Sequence, residues 1–102
     1  MLWTEKQKED AYQILLLQQK GLLEAEDHWL ANLANSSALL NETLPERVFA
    51  GYYLYNGEEL ILGPFQGRVS CTRITMGKGV CGESAQTKTT LIVDDVKKHE
   101  NY

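Results

Sequence analysis

The sequence predicts an α+β domain in which two long N-terminal helices pack on an antiparallel sheet. Three observations carry this. Apolar residues keep helical spacing up to about residue 44, and residues 48–65 switch to aromatic and branched types around one Asn-Gly pair. The 102-residue chain is 43% hydrophobic, enough for one small core. Helices in one block followed by strands, without strand-helix-strand alternation, point to α+β and away from a parallel sheet.

The elements follow in order. Thr4 and Gln7 fit a capping box, and Tyr12, Leu15, Leu16, Gln19, Leu22 and Leu23 share one helical face, so the first helix is expected from about Glu5 to Leu23. A second begins near Asp27. Its Leu30, Leu33, Ser37, Leu40 and Leu44 line a face shared with Ala34 and Ala38, and Pro45 closes it. "VFAGYYLY" and "EELILGPF" are strand-like, and Asn56-Gly57 between them marks a hairpin. "GPFQG" is expected to turn, "CTRIT" to form a short strand and "VCGESAQTK" a helix of about two turns. "TLIV" reads as one more strand and "DDVKKHENY" as a polar end. Without repeats or linkers, residues 1–102 read as a single domain. So few strands leave the sheet incomplete, and its open edge favours association, as a homodimer.

The formal charge of -4 and pI near 5.1 leave no basic surface for nucleic acid or an acidic membrane leaflet. "MLWTEKQKED" is charged where a signal peptide is apolar, and no apolar run approaches membrane length, so the expected location is cytoplasmic. In that compartment two cysteines are expected to be free, catalytic or redox-sensing.

Those cysteines, Cys71 and Cys81, bracket "CTRITMGKGVC". Within it "GKGVCG" matches the G-x-G-x-x-G dinucleotide fingerprint, which also demands a parallel strand and a full crossover helix. A simpler reading gives Gly77 and Gly79 positive φ and lets Gly82 bring a helix close to the sheet. It places Cys81 in a helix's first turn, where free N–H groups favour a thiolate. Zinc is disfavoured, because the cysteines lack the short C-x₂₋₄-C spacing and His28 and His99 lie far apart. His28, beside Trp29, reads as a helix-surface residue, His99 as part of a terminal loop, and "EAED" and "NGEE" as solvated faces. Along the first strand, alternation sends Phe49 and Tyr53 to one side and Tyr52 and Leu54 to the other. One side packs on helices, which leaves the other for a pocket.

Together, "ANLANSSALL", "FAGYYL", "LILGPFQGRVSCTRITMGKGVCG" and "DDV" resemble the free methionine-(R)-sulfoxide reductases, small enzymes built on a GAF-like domain. The likeness is most specific at "LGPFQG", Cys71 and "GKGVCG". It implies a GAF-like antiparallel sheet with helices on one side and a ligand pocket on the other. It also implies reduction of free L-methionine (R)-sulfoxide without a bound cofactor. A thiolate attacks the sulfoxide sulfur, methionine leaves, and the sulfenic acid condenses with a second thiol into a disulfide that a thioredoxin-type, NADPH-linked reductant reopens. By the resemblance, Cys71 and Cys81 match the first two of the family's cysteines, as redox or resolving thiols. The third, the sulfoxide attacker, would fall beyond Tyr102 with the acidic residues that meet the substrate's amino group. The chain then reads as the N-terminal two-thirds of the family domain, with impaired turnover. Phe49 and Tyr53 match substrate-binding wall positions, although Phe49 stands where the family commonly has tryptophan and lacks the indole N–H donor. The alternative class is a non-catalytic GAF-type module that binds a small ligand or dimerises.

Overall fold

The computed structural model describes residues 3–45 and 49–99. Val48, the expected start of the first strand, and the last residues of the polar end lie outside them. The elements run α1 (Glu5–Ala25), α2 (Trp29–Thr43), β1 (Phe49–Tyr55), β2 (Glu59–Gly67), β3 (Arg73–Thr75) and α3 (Gly79–Thr87), with a 3-10 turn at Val96–Lys98. The strands form one sheet in the order β1-β2-β3, so the fold is α+β. The chain divides into two compact units, Met1–Tyr52 with Gly63–Val69, and Tyr53–Leu62 with Ser70–Tyr102.

In the first unit, α1 starts where the capping box places it. Gln7 N–H donates to Thr4 Oγ1 at 3.1 Å, and Thr4 N–H donates to Gln7 Oε1 at 2.9 Å. Two orphan donors of the first turn are thereby satisfied. The buried stripe is narrower than the predicted face: Leu15 is buried and Gln19 Nε2 donates to the Ser36 carbonyl at 3.1 Å, whereas Tyr12, Leu16 and Leu23 are exposed. His28 is an exposed residue, as expected, and is also the N-cap of α2, its Nδ1 accepting from Leu30 N–H at 3.3 Å. Glu26 of the "EAED" run likewise accepts from the Asp27 and His28 N–H groups.

The most buried positions of α2 are serines. Ser37 is fully buried, with its hydroxyl within reach of the Leu33 and Pro64 carbonyls at 2.8 and 3.0 Å, and Ser36 Oγ meets Tyr52 Oη at 2.7 Å. A buried hydroxyl is tolerated only when so bonded. Phe49 and Phe65 stack with ring centroids 5.2 Å apart.

"GPFQG" does not turn; it completes β2. The register of β2 with β3 covers Glu59↔Thr75 to Ile61↔Arg73, followed by a hydrogen bond from Leu62 N–H to the Thr72 carbonyl. Residues two apart on a strand direct their N–H groups to the same side, so the N–H that Pro64 lacks falls past the end of this ladder. Proline is accommodated in a strand at such edge positions.

In the second unit, Asn56 builds the hairpin. Its Oδ1 accepts from the N–H groups of Glu58 and Glu59, both at 2.9 Å, and its own N–H donates to the Glu59 carbonyl at 3.2 Å. This side chain mimics a backbone turn. Leu60 is buried, and Glu59 of the "NGEE" run is ion-paired with Arg73 on β3. The pair is diagonal, since Glu59 stands opposite Thr75 and Arg73 opposite Ile61. The antiparallel β2–β3 ladder and the short α3 do not provide the parallel unit that a dinucleotide site requires. Residues 90–93 ("TLIV"), expected as a strand, are irregular, and Ile92 is exposed. The described sheet ends at β3, so this apolar run has no ladder partner there, and a strand exists only through its partner's hydrogen bonds. Among the described residues no helix is long and apolar enough to cross a membrane.

Candidate thiol site

The site grows from the loop between β3 and α3. Gly77 and Gly79 have φ of +85° and +65°, as the sequence predicts, which turns the chain from strand into helix within three residues. Hydrogen bonds from Lys78 N–H to the Thr75 carbonyl (3.0 Å) and from Gly77 N–H to the Gly82 carbonyl (2.9 Å) fold the loop onto the helix start. Gly82 is buried, and a Cβ there would lie 2.6 Å from the Thr75 carbonyl oxygen. Only glycine permits that approach. Lys78 is the N-cap of α3, so Cys81 is its third residue and stands in the first turn.

Cys71 lies in the loop before β3, outside the short strand that "CTRIT" predicted. Its carbonyl accepts from Tyr53 Oη at 2.8 Å, which joins β1 to that loop. Burial first, and then the negative charge of Cys71 and of Cys81 as thiolates, raises the Tyr53 hydroxyl above the ordinary tyrosine value. Both cysteines are exposed free thiols. They line one open cleft of about 520 Å³, together with Arg73, Ile74, Thr75, Lys78, Gly79, Val80 and Val96.

The second unit therefore gathers three of the four expected residues, Tyr53, Cys71 and Cys81. Phe49 belongs to the first unit, where it stacks on Phe65. Val96 was not foreseen as a cleft residue, because it lies in a polar stretch far along the chain and no periodicity links it to Cys81. Lys78 was visible in "GKGVCG" but carried no sign of its place in a cleft. Among the described residues no three His, Cys, Asp or Glu side chains gather closely enough to hold a metal ion.

No family model matches the chain. Individual proteins do. Over 96 residues it is 50% identical to GAF domain-containing protein A of Dictyostelium discoideum, a match spanning 93% of this chain and 60% of that protein. Over 102 residues it is 42% identical to the free methionine-R-sulfoxide reductase of Saccharomyces cerevisiae, spanning 93% of this chain and 57% of that one. The X-ray structure of free methionine-R-sulfoxide reductase from Neisseria meningitidis, in complex with its substrate, matches at TM-score 0.89 and 36% identity, over 100% of this chain and 62% of that chain. The chain thus spans about three-fifths of the length of the curated relatives it matches. A GAF-fold protein with a two-cysteine loop is the class that these likenesses and the geometry define. Within it, the chain belongs to the free methionine-R-sulfoxide reductase family.

Proposed function

We propose that the chain serves the reduction of free L-methionine (R)-sulfoxide to methionine by cysteine thiol and disulfide chemistry in the cleft lined by Cys71 and Cys81. The observation that carries this reading is the meeting of two free thiols in one open cleft, in a chain whose Neisseria relative was solved with its substrate. A thiolate attacks the sulfoxide sulfur, and the thioether leaves as methionine while the oxygen stays on the cysteine as sulfenic acid. A second thiol attacks that sulfur, releases water and closes a disulfide. The sulfoxide sulfur gains two electrons and the two thiols lose them. A thioredoxin-class dithiol, recharged by NADPH, then exchanges with the disulfide, and no bound cofactor takes part. Tyr53 holds the Cys71 backbone in place, while Lys78 provides positive charge suited to an amino-acid carboxylate. Phe49 is proposed as an apolar wall for the methyl sulfoxide on the strength of the resemblance.

The resemblance assigns sulfoxide attack to a third cysteine, and residues 1–102 contain two, so slow turnover is expected from these residues alone. The test supplies free methionine-(R)-sulfoxide with thioredoxin, thioredoxin reductase and NADPH, and follows NADPH loss. Slow loss that accelerates when a third cysteine is supplied on an appended segment supports the reading. Fast turnover by the two-cysteine chain, abolished by Cys81→Ser, would assign attack to these cysteines instead.

A second reading, a GAF-type module that binds ligand or dimerises without turnover, is favoured by the apolar surface of α1, where Leu16 and Leu17 are 69% and 70% exposed. Calorimetric binding of methionine sulfoxide without any NADPH loss would select it. In either case a homodimer is proposed, with the exposed leucines of α1 and the sheet edge as the surfaces it covers.

A further inference from the structure

The segment after α3 returns to that helix at two points. Asp95 caps the 3-10 turn, its Oδ1 accepting from Lys97 N–H at 3.0 Å, and His99 N–H donates to the Val96 carbonyl at 3.1 Å. Val96 and His99 therefore project from one hydrogen-bonded turn. Val96 lines the same open cleft as Cys81. His99 Nε2 is hydrogen-bonded to Glu83 Oε2, on α3 two residues past Cys81, and both side chains are part-buried. Leu91–Asp95, Lys98 and His99 line an open hollow of about 470 Å³, and Ile92 faces solvent.

We infer that the Glu83–His99 contact is a clasp that holds the 96–99 turn against α3, so that Val96 screens Cys81 and the cleft admits small molecules more readily than large ones. When the clasp opens, the turn lifts from α3 and the thiol becomes accessible to a bulky reactant, such as the dithiol of a protein reductant. The inference rests on the geometry of the cleft and not on turnover. A labelling measurement therefore tests it even if the proposed reductase activity is absent.

The experiment follows labelling of Cys81 by a polyethylene-glycol maleimide and by iodoacetamide, in the full chain carrying Cys71→Ser. Far-UV circular dichroism confirms that each variant is folded. Glu83→Gln and His99→Asn are each expected to raise the rate with the bulky reagent about five-fold, the opening expected when one part-buried hydrogen bond is lost. The rate with iodoacetamide should rise less. The double variant should be no faster than either single one, because both remove the same contact. Val96→Ala, which leaves the clasp intact, should raise the rate by removing the screen. An unchanged rate in both clasp variants, multiplying effects in the double variant, or no effect of Val96→Ala would each overturn the inference.

Discussion

Tyr53 spans from β1 to the loop that carries Cys71, and its hydroxyl donates to the Cys71 carbonyl while lying near both thiols. A raised hydroxyl pKa means that the folded state holds its proton to higher pH than the unfolded chain. The stability it contributes is complete below about pH 10 and is lost as pH rises through the folded value. Urea unfolding of the wild type should therefore weaken more steeply than that of Tyr53→Phe between about pH 9 and pH 11, the other titrating groups being common to both. Parallel curves would remove Tyr53 from this role. The two cysteines are also expected to differ. Cys81 stands in the first turn of α3, at the positive end of the helix dipole, and Cys71 stands in a loop. Iodoacetamide should therefore modify Cys81 in Cys71→Ser about two- to five-fold faster than Cys71 in Cys81→Ser. Equal rates would leave the helix start without influence. Residue type and the "GKGVCG" loop drew attention to Cys71 and Cys81 in the sequence, and the family resemblance drew it to Tyr53. Val96 and the Glu83–His99 contact were not legible there, because only folding brings distant residues together.

At the scale of elements, caps and turns were the most legible features, since each is settled by residues within four positions of one another. Thr4 and Gln7 are such a pair, and Thr4→Ala should cost about 1 kcal/mol in chemical denaturation, with α1 fraying from its N-terminus. Asn56 is another. The junction of β3 with α3 depends on Gly82, where any Cβ meets the Thr75 carbonyl. Gly82→Ala should cost about 1–3 kcal/mol and disturb the cleft, since α3 can relieve the overlap only by moving away from β3. Unfolding midpoints would measure the first effect, and altered labelling of Cys81 the second. Two elements were misread. Pro64 suggested a turn but lies where its missing N–H is not needed, and "TLIV" suggested a strand but has no ladder partner among the described residues. Both errors have one cause: the local residues are compatible with a strand, and pairing decides whether one forms.

For the whole molecule, the exposed leucines of α1 make self-association the expected behaviour. Sedimentation at micromolar concentration should show a dimer, and Leu16→Lys with Leu17→Glu should shift it to monomer while far-UV circular dichroism is kept. A monomer in the unmodified chain would mean that this surface is simply solvated. The sequence by itself determined the α+β class, the order of the helices and the hairpin, the glycine-bearing turn before α3 and the family resemblance. Those features depend on periodicity, capping and turn chemistry, which act over a few residues. Tertiary structure decided which face of α1 is buried, that α2 buries serines, that β2 continues through Pro64, and that Val96 joins the two cysteines in one cleft. Burial, strand pairing and hydrogen bonding across distant parts of the chain set those outcomes, and none has a local signature.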